Sequence, residues 1–312
     1  MSTPAPRFTL DLAAQATYRA PTLQQPSNLQ KVFSSGKIVI GNCLSYPSRH
    51  VAKTVAVTGA DWCWIDAEHV AWSPTELIEC IQVIIHESGG KMIPGWWHYR
   101  RASVSANQKN QLSAWCLDAG AGGIIVPHLE TVEEMKEVIA ACRFSPIGHR
   151  SFPPFTFLPG VTDKTPENET VFSLANKHVA IIPQIESRLG IKNLEAIMQL
   201  EEISAFMIGV GDLRLDMRLP AGMSGDEPEF VAALEKATKV SKERNIPLLG
   251  LAIGDEMMKA RIDQGFRILA VCMDLYELGY GMMRSVSGAR ATAEAHMQAR
   301  HIGVNGQAKQ EK

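Results

Sequence analysis

The chain has 312 residues, 46% of them hydrophobic and 21% charged, with 31 Lys+Arg against 33 Asp+Glu for a formal net charge of -2. That is the profile of a soluble globular protein able to bury one large core. So even a balance of charge gives no field to draw the chain to nucleic acid or to an anionic membrane, and a small-molecule partner is the expectation.

The first stretch, MSTPAPRFTLDLAAQATYRAPTLQQPSNLQ, lacks the unbroken apolar segment of a signal peptide, and no later run is long enough to span a bilayer. Residues 1–31 therefore read as an N-terminal arm, and a cytoplasmic location is expected. From there, eight short apolar, β-branched runs follow in order: KIVIGNCLS, DWCWIDA, KMIPGWW, GGIIVPH, HVAIIPQIE, AFMIGVGD, IPLLGLAI and FRILAVCMD. Near-continuous hydrophobicity marks strands covered on both faces. Amphipathic stretches such as SPTELIECIQVIIHES and TVEEMKEVIAACR lie between them, so the units are parallel βα pairs. Eight such units close into an α/β fold, the (β/α)8 TIM barrel.

Between the helix after strand four and strand five lies SPIGHRSFPPFTFLPGVTDKTPENETVFSLANK, a Pro/Gly/aromatic-rich segment that reads as a long functional loop. It holds a glycosylation sequon, Asn168-Glu169-Thr170, which without a secretory signal reads as chance in a polar loop. After strand eight, LYELGYGMMRSVSGARATAEAHMQARH reads as a last helix, which places the barrel with its C-terminal helix at 32–300 and a polar tail at 301–312. The six cysteines form no C-x-x-C pair and read as reduced core residues.

In such a barrel the active site forms where the strands end, so polar residues there are read for function first. Strand two ends in Asp66-Ala67-Glu68-His69, strand four in Pro127-His128-Leu129-Glu130, strand five in Gln184-Ile185-Glu186 and strand six in Gly211-Asp212. Glu186 and Asp212 leave adjacent strands at matching ends, where two carboxylates can grip one hard cation while water and substrate oxygens complete an octahedron. Mg2+ suits that set, with Mn2+ or Co2+ as substitutes. Both positions also suit acids at helix N-termini, and only their coincidence favours the metal. Asp66 lies three residues before His69, close enough to orient the imidazole and raise its basicity, which would make His69 a general base; a lone loop histidine is also commonly structural. Gln184 shares a strand face with Glu186 and either bonds a substrate oxygen or satisfies backbone. No G-x-G-x-x-G or P-loop pattern supports nucleotide chemistry.

Taken together, WIDAEH, LDAGAGGIIVPHLETVEE, RFSPIGHRSF, IIPQIES and IGVGDL, in this order between about residues 37 and 290, resemble the metal-dependent class II pyruvate aldolases of HpcH/HpaI type, in the phosphoenolpyruvate/pyruvate barrel superfamily. The resemblance implies Glu186 and Asp212 as metal ligands, Asp66 and His69 as the catalytic dyad, and the amides around Gly211 and Asp212 as the pyruvate-carboxylate site. It implies a 2-oxo acid substrate and a carbon–carbon lyase working through a pyruvate enolate: oxaloacetate decarboxylation, aldol cleavage or condensation, or trapping of the enolate on a second substrate. It also implies a homo-oligomer, a hexamer or trimer of dimers, with the C-terminal helix exchanged between subunits. The family places an arginine at the end of strand three; here the stretch is KMIPGWWHYRRASVSANQ, and Arg101, rather than Arg100, is the residue expected to reach the enolate oxygen. The proline often found before the second metal ligand is replaced by Val210-Gly211. The alternative to a lyase is a catalytically impaired metal-binding barrel serving as scaffold or oligomer partner.

Overall fold

The computed structural model describes residues 29–88, 93–97, 106–151 and 168–307. The eight apolar runs become strands β1 (Val39–Leu44), β2 (Trp62–Ile65), β3 (Ile93–Trp97), β4 (Gly123–Val126), β5 (Ala180–Ile185), β6 (Phe206–Ile208), β7 (Leu248–Leu251) and β8 (Ile268–Met273). Each pairs in parallel with the next and β8 returns to β1, so the sheet closes into a barrel. Every residue of β2, β4, β5 and β6 is buried, as expected for strands with side chains inside the barrel and helices outside.

The helices begin with α1 (Leu29–Phe33), α2 (Arg49–Ala56), α3 (Pro74–Glu87), α4 (Ala106–Asp118) and α5 (Val132–Cys142). They continue with α6 (Val171–His178), α7 (Arg188–Ile197), α8 (Val210–Asp216), α9 (Pro228–Arg244), α10 (Asp255–Asp263) and α11 (Asp274–Gln307). Two apolar layers result. Leu77, Ile81 and Ile84 of α3 and Phe230 of α9 pack with Ile65, Ile124 and Phe206 between helices and strands. Trp62, Trp64, Ile125, Ile182, Met207 and Leu249 fill the interior with Leu29 and Phe33.

Residues 29–31, read from the sequence as the end of an arm, belong instead to α1, which plugs the barrel at the strand N-termini. Leu29 and Phe33 are the reason: both are buried, and the Phe33 ring meets Trp62 edge-on at 5.6 Å. Two glycines make room for this plug. A Cβ on Gly41 would fall 2.3 Å from the Trp62 indole, and one on Gly123 would fall 3.0 Å from Leu29 Cδ2.

Local signals start the helices where the sequence places them. Ser73 with Glu76, and Thr131 with Glu134, form reciprocal capping boxes, and Pro74 and Pro228 open their helices. The segment read as one long loop before β5 departs from expectation, because its last part is α6. Thr170, the sequon threonine, is the N-cap of that helix and accepts from Ser173 N–H. The rest, 152–167, lies outside the described residues.

Within 143–151, Arg143 and Arg150 anchor this connection. Arg143, 1% exposed, donates to Val179 O at 2.9 Å and pairs with Glu202, while Arg150 pairs with Asp118 and stacks 4.6 Å over Phe144.

The last helix runs to Gln307, past residue 301 where the tail was expected, and 301–307 contains no proline to stop it. At its start, Asp274 accepts from Ser45 N–H at 2.8 Å and Tyr46 N–H at 2.9 Å, fastening the end of β8 to the loop after β1. Five cysteines are buried, Cys272 is partly so, and none is in a disulfide. Among the described residues no helix is long and apolar enough to cross a membrane.

Candidate metal and enolate site

Glu186 is the first residue beyond β5 and is 3% exposed. Its Oε1 accepts the His128 backbone N–H at 2.7 Å, and its Oε2 accepts from the side-chain amide of Gln184, two residues earlier on the same strand face. His128 takes φ 51, a left-handed conformation uncommon outside glycine, and this turn aims its amide back at Glu186. Gly209 seals the other side. Its φ of -78 is ordinary, so sterics demand the glycine: a Cβ there would sit 2.1 Å from Glu186 Oε2 and 2.7 Å from Gln184 Nε2. Burial pushes the Glu186 carboxyl up to about 8, aided by the negative charges of Asp212 and Glu68 and opposed by its two hydrogen bonds. Asp212 sits in the first turn of α8, whose N-cap Gly209 supplies no side-chain bond, so the amides around Gly211 and Asp212 open an uncapped helix end.

At the end of β2, Asp66 is 3% exposed and accepts from the amides of Glu68 at 3.1 Å and His69 at 3.0 Å. Its Oδ1 lies 3.2 Å from His69 Nδ1, so the expected dyad is present. Trp72 Nε1 donates to Asp66 O at 2.8 Å and fixes the turn. Burial pushes Asp66 up, but the bonds from the His69 ring and amide outweigh it and leave the carboxyl below its ordinary range. The hydrogen bond that His69 donates to Asp66, with the charges of Asp66, Glu68 and Asp212, raises His69 to about 9 against the effect of burial. Glu68 rises to about 7, through burial and through Asp66 and Asp212.

Glu68, His69, His128, Glu186 and Asp212 line one cavity of about 290 Å3. A larger groove, about 700 Å3, runs along α9 past Leu234, Thr238, Lys242 and Asp263, but no strand-end acid lines it. The smaller cavity is where titratable groups with displaced pKa values converge. Glu186, Asp212 and His69 are thus brought together as expected, with Asp66 behind His69 and Gln184 behind Glu186. Glu68 and His128 also line the cavity, though the sequence argument assigned them no role; their positions at the ends of β2 and β4 were the available signal. Arg100 and Arg101 lie outside the described residues.

The crowded acids fit a hard divalent cation. Three carboxylates face one space, and two of them are pushed toward protonation there, a penalty that a +2 charge would remove. Among the described residues no three His, Cys, Asp or Glu side chains are placed to hold a metal by themselves, so the grip would rest on Glu186 and Asp212 with water and substrate oxygens.

The chain is similar to known proteins over most of its length. The profile of the HpcH/HpaI aldolase/citrate lyase family matches residues 44–278. The chain is 26% identical to a hydroxypyruvate/pyruvate aldolase of Roseobacter denitrificans, over 80% of this chain and 91% of that protein. It is 27% identical to a 4-hydroxy-2-oxo-heptane-1,7-dioate aldolase of Escherichia coli, over 86% and 97%. Among solved structures, macrophomate synthase superposes with a TM-score of 0.79 at 35% identity, covering 89% of this chain and 94% of that one.

Proposed function

The chain belongs to the HpcH/HpaI aldolase/citrate lyase family, and on that premise we propose that it is a divalent-metal-dependent carbon–carbon lyase that acts on a 2-oxo acid through the enolate of pyruvate. The observation that carries this reading is the convergence of Glu186, Asp212 and Glu68 with the Asp66–His69 dyad around one small cavity. Similarity to named aldolases supports the lyase class.

Glu186 and Asp212 would hold Mg2+, or Mn2+ or Co2+ in its place. Bound there, the cation would draw electron density from the 2-oxo acid's carbonyl and so favour the enolate. The chain's own groups do the rest. The amides around Gly211 and Asp212 bind the substrate carboxylate, and Gln184 keeps Glu186 aimed. His69 handles the proton. Paired with Asp66 Oδ1 at 3.2 Å, it gives a proton to the alkoxide left by aldol addition and, in the reverse direction, takes the hydroxyl proton of a 2-oxo-4-hydroxy acid. Arg101 is proposed as the donor to the enolate oxygen.

Leu275, Tyr276, Leu278, Met282 and Met283 are exposed along α11 and support contact with a second copy, in keeping with a hexamer built by exchange of this helix. The barrel with its plug helix and its C-terminal helix, 29–307 among the described residues, is proposed as one catalytic domain working in the cytoplasm. The deciding experiment is pyruvate release from oxaloacetate with and without Mg2+. A rate above that of the free cation is expected; a rate equal to it favours the non-catalytic metal-binding barrel.

A further inference from the structure

Asp212 stands on a helix too short to hold itself. α8 has 7 residues, whereas an isolated helix needs roughly 12–15 to be even marginal in water, so the place of Asp212 depends on what grips α8 from outside. Both ends of α8 meet the segment that carries Glu186. At its start, Gly209 lies so close to the Glu186 and Gln184 side chains that a Cβ would not fit. At its end stands Arg188, the second residue after Glu186 in the chain. The Arg188 backbone N–H donates to Asp216 Oδ2 at 2.6 Å, and its guanidinium donates through Nη1 to Asp216 O and through Nη2 to Met217 O at 2.9 Å. Carbonyls at a helix C-terminus lack partners within the helix, and a cation there also meets the negative end of the helix dipole. The guanidinium is itself held, because Nε and Nη2 donate to the two carboxylate oxygens of Glu229, in the first turn of α9, at 2.7 and 3.0 Å. Ser187, between Glu186 and Arg188, is 3% exposed, caps α7 and donates to Glu130 at 2.7 Å, so the turn from which Arg188 reaches is fixed as well.

We propose that Arg188 is a positioning residue for the cation: by fastening the C-terminus of α8 to the turn after Glu186, it sets how far apart Glu186 and Asp212 stand. This rests on the reading of those two acids as metal ligands and adds the residue that couples them. Arg188 is not among the described residues lining the cavity and acts through Asp212. A small hard cation such as Mg2+ demands nearly ideal ligand geometry, so a pair of carboxylates on separate elements binds it well only if the elements are locked to each other. Residues behind the ligands that hold them in place typically contribute about 10- to 100-fold in metal affinity.

The test is Mn2+ binding to the substrate-free protein, followed by EPR. Arg188→Met, which keeps an apolar stem and removes every side-chain donor, is expected to weaken binding about tenfold. Arg188→Lys, which restores a cation and a donor for the α8 carbonyls, is expected to recover part of that loss. Glu202→Gln, which removes the charge paired with Arg143, reports what lower stability does by itself and is expected to leave Mn2+ affinity unchanged. In an Asp212→Asn background, Arg188→Met is expected to cost nothing further, because the ligand through which it acts is already gone. Equal affinity in wild type and Arg188→Met, an equal loss in Glu202→Gln, or a full further loss in the double variant overturns the proposal and leaves Arg188 as a tie between α8 and α9. Failure of the metal-site reading is distinguishable, because the wild type would then bind no Mn2+, and the proposal would fall with it.

Discussion

Replacing Glu186 with glutamine removes one negative charge from the most crowded part of the site while keeping its shape. In the cation-free protein the Glu186 carboxyl is raised from its ordinary 4.5 to about 8, chiefly by burial. A folded-state pKa above the unfolded one means the native protein binds the proton more tightly. The resulting stability is full below about 4.5 and is lost as pH rises to about 8. At about 1.4 kcal/mol per pH unit, the shift corresponds to a loss on the order of 5 kcal/mol over that window. Glu186→Gln has no such proton to lose. In chelator, the variant should match wild type near pH 4.5 and exceed it by several kcal/mol near pH 8.5, with the Gln184 amide turning its oxygen to meet the new amide. Urea unfolding at both pH values measures this. Millimolar Mg2+ should close the gap by stabilising wild type alone, since the variant lacks one of its two carboxylate ligands. Parallel pH curves for the two proteins would refute the argument, because they would mean that Glu186 ionises in the fold as easily as in the open chain.

His69→Ala should slow aldol-type proton transfer about a hundredfold or more, the usual contribution of a positioned acid or base, and slow oxaloacetate decarboxylation less, because loss of CO2 makes the enolate without the hydroxyl or alkoxide proton transfer that His69 serves. Rates on both substrates check this, and equal losses would assign His69 to binding. Gly209→Ala should push Glu186 and Gln184 aside, since its Cβ would stand 2.1 Å from Glu186 Oε2. Mg2+ binding by calorimetry should weaken sharply at a stability cost of about 1–3 kcal/mol, and unaltered binding would show that the carboxylate is not wedged there.

Much of the fold was legible because a strand buried on both faces writes itself as a short apolar run, and β1 to β8 all fall within the runs read from sequence. Strand-end position also singled out Asp66, His69, Gln184, Glu186 and Asp212, which the fold gathers in or just behind one cavity, while Arg101 lies outside the described residues. What failed was short or non-local. Helix α6 has only 8 residues and follows a Pro/Gly-rich stretch, so its capping box was the sole clue. The plug formed by Leu29 and Phe33 depends on Trp62, distant in sequence. The bond from His128 N–H to Glu186 joins residues 58 apart and needs a left-handed turn that a histidine does not announce.

The central claim is that this cavity, loaded with a divalent cation, forms the enolate of pyruvate. Exchange of the pyruvate methyl protons with D2O, followed by NMR, reads that step with no second substrate. The account predicts exchange that is well above the rate with Mg2+ alone, stops on adding chelator and returns with Mg2+. A folded, Mg2+-binding protein that leaves the methyl signal at the free-cation rate would contradict it.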